Sequence, residues 1–236
     1  MQPLCFRRRI VPTLFLALVI ILTLGTARTA TAVIYKVSDY SAENALGFPG
    51  GGDMIALNEY TVTGGNNLIT GIEVEWGTPA FSQPSLNGLP YTIVLWSDPN
   101  GDGLPNDAVV LATANAVIAN AGTNKFVLTL ITPTIVLTRN FFVGFMINHL
   151  PTQAPAGFDQ NSPVPNRSFL GGGTSGSGTI YNLGANQVAP APIESFGSNG
   201  NWIICAVAVP EPSPWAMMGM GVGILLCFLR YQRRTG

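Results

Sequence analysis

Residues 98–107 read Asp98-Pro-Asn100-Gly-Asp102-Gly103-Leu-Pro-Asn106-Asp107. Oxygen-bearing side chains at the first, third and fifth positions, with glycine at the sixth, match the opening half of an EF-hand-like calcium loop. Alternate residues let a curling chain aim several oxygens at one hard cation. The second half departs from that pattern, because Val109 stands where a bidentate glutamate belongs and the flanks read as strands. Asp98, Asn100, Asp102 and Asp107 are therefore candidate calcium ligands. A plain polar hairpin connection, rich in the turn formers Asn, Asp, Gly and Pro, is the alternative. In the first case the ion pins a loop and does no catalysis.

Catalytic sets are scarce. His149 is the single histidine, flanked by Leu150 and Pro151, and no G-x-S-x-G elbow accompanies it. A strand-end histidine of structural role is the expectation. Zinc sites want several His or Cys side chains, and these are too few. Residues 171–176 spell G-x-G-x-x-G, but no strand–turn–helix surrounds them, so a flexible loop is expected. Glu73 and Glu75, two apart on one strand face, would lie ~7 Å apart. An inverting glycosidase uses a carboxylate pair ~6.5–9.5 Å apart, so geometry admits them. Their face, however, is the one expected to meet water. Asp53, Glu59 and Asp159 offer no spacing that chemistry demands, and Asn166-Arg-Ser168 is a formal glycosylation sequon. Sugar contact by aromatic stacking is more open, and Tyr181 and Trp202, beside Gly- and Asn-rich loops, are its candidates.

The elements that must carry these residues are short β-branched or aromatic runs separated by Gly, Pro, Asn and Asp. Candidate strands cover 33–37, 60–62, 68–76, 91–96, 109–112, 126–131, 135–137, 141–147, 179–181 and 202–207. In 72–76 the alternation puts Ile72, Val74 and Trp76 on one face and both glutamates on the other. Residues 91–96 and 141–147 are apolar on both faces, as central strands are. The pattern predicts an all-β domain, an antiparallel β-sandwich of jelly-roll-like form. Cys205, among Ile203, Ile204 and Val207, reads as a small buried apolar residue and not as a nucleophile.

The two ends differ from the middle. Arg7–Arg9, an apolar run over 10–25 and the small residues Ala30 and Ala32 describe a secretory signal peptide over residues 1–32. At the other end Pro210-Glu211-Pro212 precedes an apolar stretch over 215–229, expected to form a single short transmembrane helix, and then Arg230, Arg233 and Arg234. This order over residues 209–236 resembles the PEP-CTERM sorting signal of Gram-negative bacteria. The resemblance implies export, a transient inner-membrane intermediate, and recognition by an exosortase after signal peptidase. It also implies a place on the cell surface or in an extracellular, biofilm matrix. Residues 98–107 with 141–145 are loosely similar to β-sandwich domains common in such exported proteins.

Composition agrees with that division. The whole chain has 11 Lys plus Arg against 12 Asp plus Glu, a net charge of −1, and 47% apolar residues. No cationic surplus exists for nucleic acid, and the apolar content is too high for a disordered acidic chain. Residues 33–208 keep only Lys36, Lys125, Arg139 and Arg167 against every acidic residue but Glu211, four against eleven, a net −7. The domain keeps one cysteine and so no internal disulfide. The expected function is an exported, non-catalytic surface or matrix protein contacting exopolysaccharide. A secreted glycan hydrolase using a carboxylate pair is the alternative.

Overall fold

The computed structural model describes residues 32–81, 84–161 and 163–210, with positions 221–223, 225 and 232. The chain divides into a compact unit Ala32–Pro210 and a second unit, Met1–Thr31 with Glu211–Gly236. The expected signal peptide, Glu211, Pro212, Arg230, Arg233, Arg234 and most of the tail helix lie outside the described residues. Positions 221–223, 225 and 232 are helical. Among the described residues, no helix is long and apolar enough to cross a membrane.

The first unit is all-β. Its strands are β1 (Val33–Tyr35), β2 (Asn44–Leu46), β3 (Gly52–Thr61), β4 (Leu68–Val74), β5 (Pro90–Ser97), β6 (Val109–Val117) and β7 (Val127–Ile135). They continue as β8 (Asn140–His149), β9 (Ala156–Asp159), β10 (Ser168–Gly173), β11 (Val188–Pro192), β12 (Asn201–Trp202) and β13 (Ile204–Val209). A six-stranded sheet runs β11-β10-β3-β8-β5-β6, a four-stranded sheet β1-β13-β4-β7 and a small one β12-β9-β2. Each described strand pair is antiparallel.

Alternation explains the layout. On β3, Met54, Ala56 and Tyr60 join one buried cluster while Ile55 and Leu57 join another, so both faces of this strand are covered. The first cluster also takes Ile69, Ile72 and Val74 from β4, and Ala206 and Ala208 from β13. Trp76 sits at its centre, 4.5 Å from the rings of both Tyr91 and Phe145. The second cluster, with Val94, Trp96, Phe142 and Phe169, is closed by Ala108, Ile180 and Leu183 from connecting segments. Close backbone approach fixes Gly144, where a Cβ would lie 2.1 Å from the Ala56 carbonyl.

A buried polar network ties the sheets to each other. The Asn58 amide donates to the carbonyls of Trp202 and Ile204, and its oxygen accepts from the Ser168 hydroxyl at 2.7 Å. Asn201 in turn donates to Ser168. Every member is paired, which is what burial of such groups demands.

Two expectations need correcting. Residues 171–173 are not a flexible loop but the end of β10, paired with β3 from Gly171↔Ile55 to Gly173↔Asp53. Glycine is needed there because side chains have no room: a Cβ on Gly171 would meet Pro190 at 2.8 Å, and one on Gly172 the Asp53 carbonyl at 1.9 Å. Residues 179–181 form no strand; Ile180 instead plugs the second cluster, and its carbonyl accepts from the Trp96 indole. The runs 126–131 and 135–137 largely merge into β7, with Pro133 tolerated because β7 lies at a sheet edge.

Candidate functional site

The loop after β5 closes on itself. Asp98 is 1% exposed and its two oxygens accept from the backbone N–H groups of Gly101 and Gly103. The Asn100 oxygen accepts from the Asp102 N–H, and Asp102 accepts from the Leu104 N–H and from the Asn100 amide. Gly101 and Gly103 take φ of 74° and 76°, a region that suits glycine. Three of the four expected ligands converge, since carboxylate oxygens of Asp98, Asp102 and Asp107 lie within 4.8 Å of one another. The side-chain oxygen of Asn100 is turned to the backbone.

Beside this loop opens a cleft of about 300 Å³, lined by Glu59, Asp102, Leu104, Asn140, Asn166 and Arg167 among others. Its floor follows from strand register. Glu59 continues the odd-numbered face of β3 that buries Ile55 and Leu57, and it pairs across to Phe142. Arg167 comes from the turn into β10, its carbonyl accepting from the Glu59 N–H. The Arg167 guanidinium reaches the Glu59 carboxylate at 2.9 Å, with the two side chains 36% and 9% exposed. Burial pushes the Glu59 carboxyl above its ordinary value; Arg167 opposes this, and the charges of Asp98 and Asp102 add to it. Asn140 opens β8, and its N–H-bearing amide points toward the loop carbonyl of Gly101 at 3.5 Å. Asn166 holds φ of 58° and is among the residues that line the cleft. Of these residues, Glu59 was seen in the sequence without a role, and Asn166 only as a sequon. One signal was available: Glu59 sits late in the largely apolar run 54–60, and Arg167 is one of four cations in the domain.

The two sugar-contact candidates separate. Tyr181 is 73% exposed, on a segment whose Gly184 packs against Asn106 of the loop. Trp202 is fully buried, against the Phe158 ring at 5.3 Å, with its indole N–H donating to the Phe169 carbonyl. It has no face to offer a sugar. Its position on β12, over the main cluster, overrides the loop-rich neighbourhood that suggested exposure.

The face of β4 carrying Glu73 and Glu75 does not meet water as expected. Tyr40 lies over it, against Phe126 at 4.7 Å and beside the Cys205 thiol. Glu73 is half-buried and Glu75 is 1% exposed. Burial pushes the Glu75 carboxyl up to about 7, and the charge of Glu43 adds to it. Burial likewise pushes Cys205 up to about 12, as an inert interior thiol requires. His149 is 2% exposed; its Nε2 accepts from the Phe48 N–H at 3.2 Å, so Nδ1 carries the proton toward the Leu150 carbonyl at 2.9 Å.

No protein-family model and no curated protein matches the sequence. Among solved structures, the chain is similar to the clostridial cysteine protease Cwp84 C116A after propeptide cleavage. That match has a TM-score of 0.55 and 11% identity, over 76% of this chain and 40% of that one. It is also similar to the cysteine protease and lectin-like domains of Cwp84, a surface layer associated protein of Clostridium difficile. There the TM-score is 0.53 at 10% identity, over 78% of this chain and 37% of that one. The chain thus spans about two fifths of the length of these structures, and the likeness concerns the fold.

Proposed function

We propose that this chain is an exported, non-catalytic surface or matrix protein whose β domain contacts extracellular polysaccharide. The observation that carries the reading is the cleft beside the 98–107 loop. Half of its lining is polar, with the Glu59–Arg167 pair below and Asp102, Asn140 and Asn166 around the rim, and the other half is apolar, from Leu104, Phe169 and Pro192. Amides, a carboxylate and a guanidinium offer the hydrogen bonds that sugar hydroxyls need, and Tyr181 exposes a ring on the segment whose Gly184 meets Asn106 of the same loop. The pooling of buried residues from the four- and six-stranded sheets supports an antiparallel sandwich of jelly-roll-like form. The likeness to a protein described as surface layer associated, with a lectin-like domain, is in keeping with such a role.

In this reading the signal peptide exports the chain, and Pro210, Glu211 and Pro212, with the tail helix and Arg230, Arg233 and Arg234, hand it to an exosortase at the inner membrane. Calcium at Asp98, Asp102 and Asp107 would stiffen the cleft rim. The hydrolase alternative has weaker support, because Glu75 is too buried for substrate to reach.

The test is retention of the full-length chain on purified exopolysaccharide. Asn166→Gly removes an amide while suiting the positive φ, and Tyr181→Ala removes an exposed ring, so both variants should fold. Each should weaken retention several-fold, and the pair together at least tenfold. Absence of retention by the parent chain at every salt concentration would overturn the proposal.

A further inference from the structure

The four-stranded sheet sends alternate side chains to the main cluster, among them Tyr35 of β1, Ile72 of β4, Ile131 of β7 and Ala206 of β13. The residues between them form an apolar outer face. Ile34 pairs with Val207, Val207 with Gly71 and Gly71 with Leu130, a row across all four strands. Leu128 and Leu130 close over Gly71, where a Cβ would lie 2.8 Å from Leu128 Cδ1. Val209, Leu68 and Ile135 make a further row. Past β7, Val136 turns into the main cluster and Leu137 turns out. Ile34, Leu128 and Ile135 are exposed, while Leu130 is 69% and Leu137 90% exposed. Single apolar side chains on a surface need no account, but five gathered on one sheet mark an interaction site.

Charge and chain path indicate what covers this face. Its four strands hold one charged residue, Glu73, half-buried beneath Tyr40. Exposed cations stand around them: Lys36 directly after β1, Lys125 two residues before β7, and Arg139 between β7 and β8. These are three of the four cations in residues 33–208, a segment of net charge −7. A second copy would bring another −7 to the contact, whereas an apolar centre with a basic rim suits acyl chains beneath anionic headgroups. The chain also leaves the unit here, because Val209 lies in the row of Leu68 and Ile135. The apolar stretch over 215–229 begins six residues later, at most about 20 Å of extended chain away. A bilayer holding that stretch is within reach of the sheet.

We propose that the outer face of the four-stranded sheet docks on an anionic lipid bilayer. Ile34, Leu128, Leu130, Ile135 and Leu137 sit at the boundary of headgroups and acyl chains, and Lys36, Lys125 and Arg139 meet the headgroup phosphates. Docking of this kind is additional to polysaccharide contact and rests, for the nearness of the bilayer, on the membrane reading of 215–229. It leaves the cleft open, since Glu59, Asn140, Phe169 and Pro192 of its lining belong to the six-stranded sheet.

The experiment uses the full-length chain with Cys5→Ser and Cys227→Ser, so that a polarity-sensitive dye reacts at an introduced thiol while buried Cys205 stays unlabelled. Two labelled forms, Leu137→Cys and Tyr181→Cys, are reconstituted in vesicles of phosphatidylglycerol and phosphatidylcholine doped with nitroxide-bearing lipid. Carbonate extraction reports insertion of the tail separately. The dye at 137 should be quenched about threefold more than the dye at 181. Leu130→Ser with Ile135→Ser, both at exposed positions that tolerate a polar side chain, should remove at least half of that quenching. Lys125→Gln with Arg139→Gln, or vesicles of phosphatidylcholine alone, should halve it as well. Equal quenching at 137 and 181 overturns the proposal whether or not the tail inserts. A tail that washes out while the dye at 137 stays quenched refutes the tail reading and supports the docking face. Quenching unchanged in phosphatidylcholine overturns the anionic assignment. Blue-shifted emission at 137 before lipid is added also overturns the proposal: concentration dependence would give the face to a second copy, and independence to a segment of the same chain.

Discussion

His149 illustrates how burial assigns a residue its work. Its ring stacks near Phe48 and accepts that residue's N–H, so protonating Nε2 would set two donors against each other. Burial accordingly holds its pKa below the ordinary histidine value. A histidine depressed in the folded state contributes stability that is complete above the unfolded pKa near 6.5 and lost as pH falls through the folded value. Buried Glu75, its carboxyl pushed up to about 7, acts in the opposite sense over this window. In denaturant titrations the histidine therefore adds a decline in stability below about pH 6.5 to the slope that the carboxyl sets. His149→Asn should flatten that decline, and an unchanged slope in the variant would show another group responsible. The same accounting separates Cys205, inert in the interior, from Asp98, whose two oxygens are engaged by loop N–H groups.

At the scale of elements, the loop over residues 98–107 can hold its turn without help, because four backbone N–H groups bond to its side chains. If calcium also binds, a saturating concentration near 100 times Kd adds about 2.7 kcal/mol. The melting temperature should then rise with calcium and fall with chelator, and Asp102→Asn should lose part of that rise. Identical calcium responses in parent and variant would leave the loop a turn alone. Strands with clean alternation or double-sided apolar runs, such as β4, β5 and β8, were legible in the sequence. Strand β10 was not, since Phe169-Leu-Gly-Gly-Gly looks like a loop until Pro190, Asp53 and Ser177 are seen filling the space where side chains would go. Strands β2, β9 and β12 are too short to carry a period. Half of the candidate site was legible as well: Asp98, Asp102 and Asp107 by spacing, and Tyr181 by its glycine-rich setting. Arg167, Asn140 and Trp202 depend on partners more than thirty residues away, which no local pattern encodes.

On the scale of the whole molecule, the unit Ala32–Pro210 has the buried clusters and the paired polar network of a self-sufficient body. The sorting proposal belongs to the segments outside it. Replacing Pro210-Glu211-Pro212 by three alanines in the producing cell should trap the chain in the membrane fraction. Fractionated cells and culture medium, probed with an antibody to the β domain, measure this. Equal release of both forms would argue against the motif.

The pairing of Val33 with Ala208 has a mechanical meaning. The chain enters and leaves the unit at one corner, so a load on either end is taken up by the same edge of the four-stranded sheet. Tension on the C-terminal end bears on β13, clasped between β1 and β4. Pulling the two ends of the unit apart would first peel the three residues of β1 from β13, and the load would then bear on the pairing of β2 with β9 and of β13 with β4.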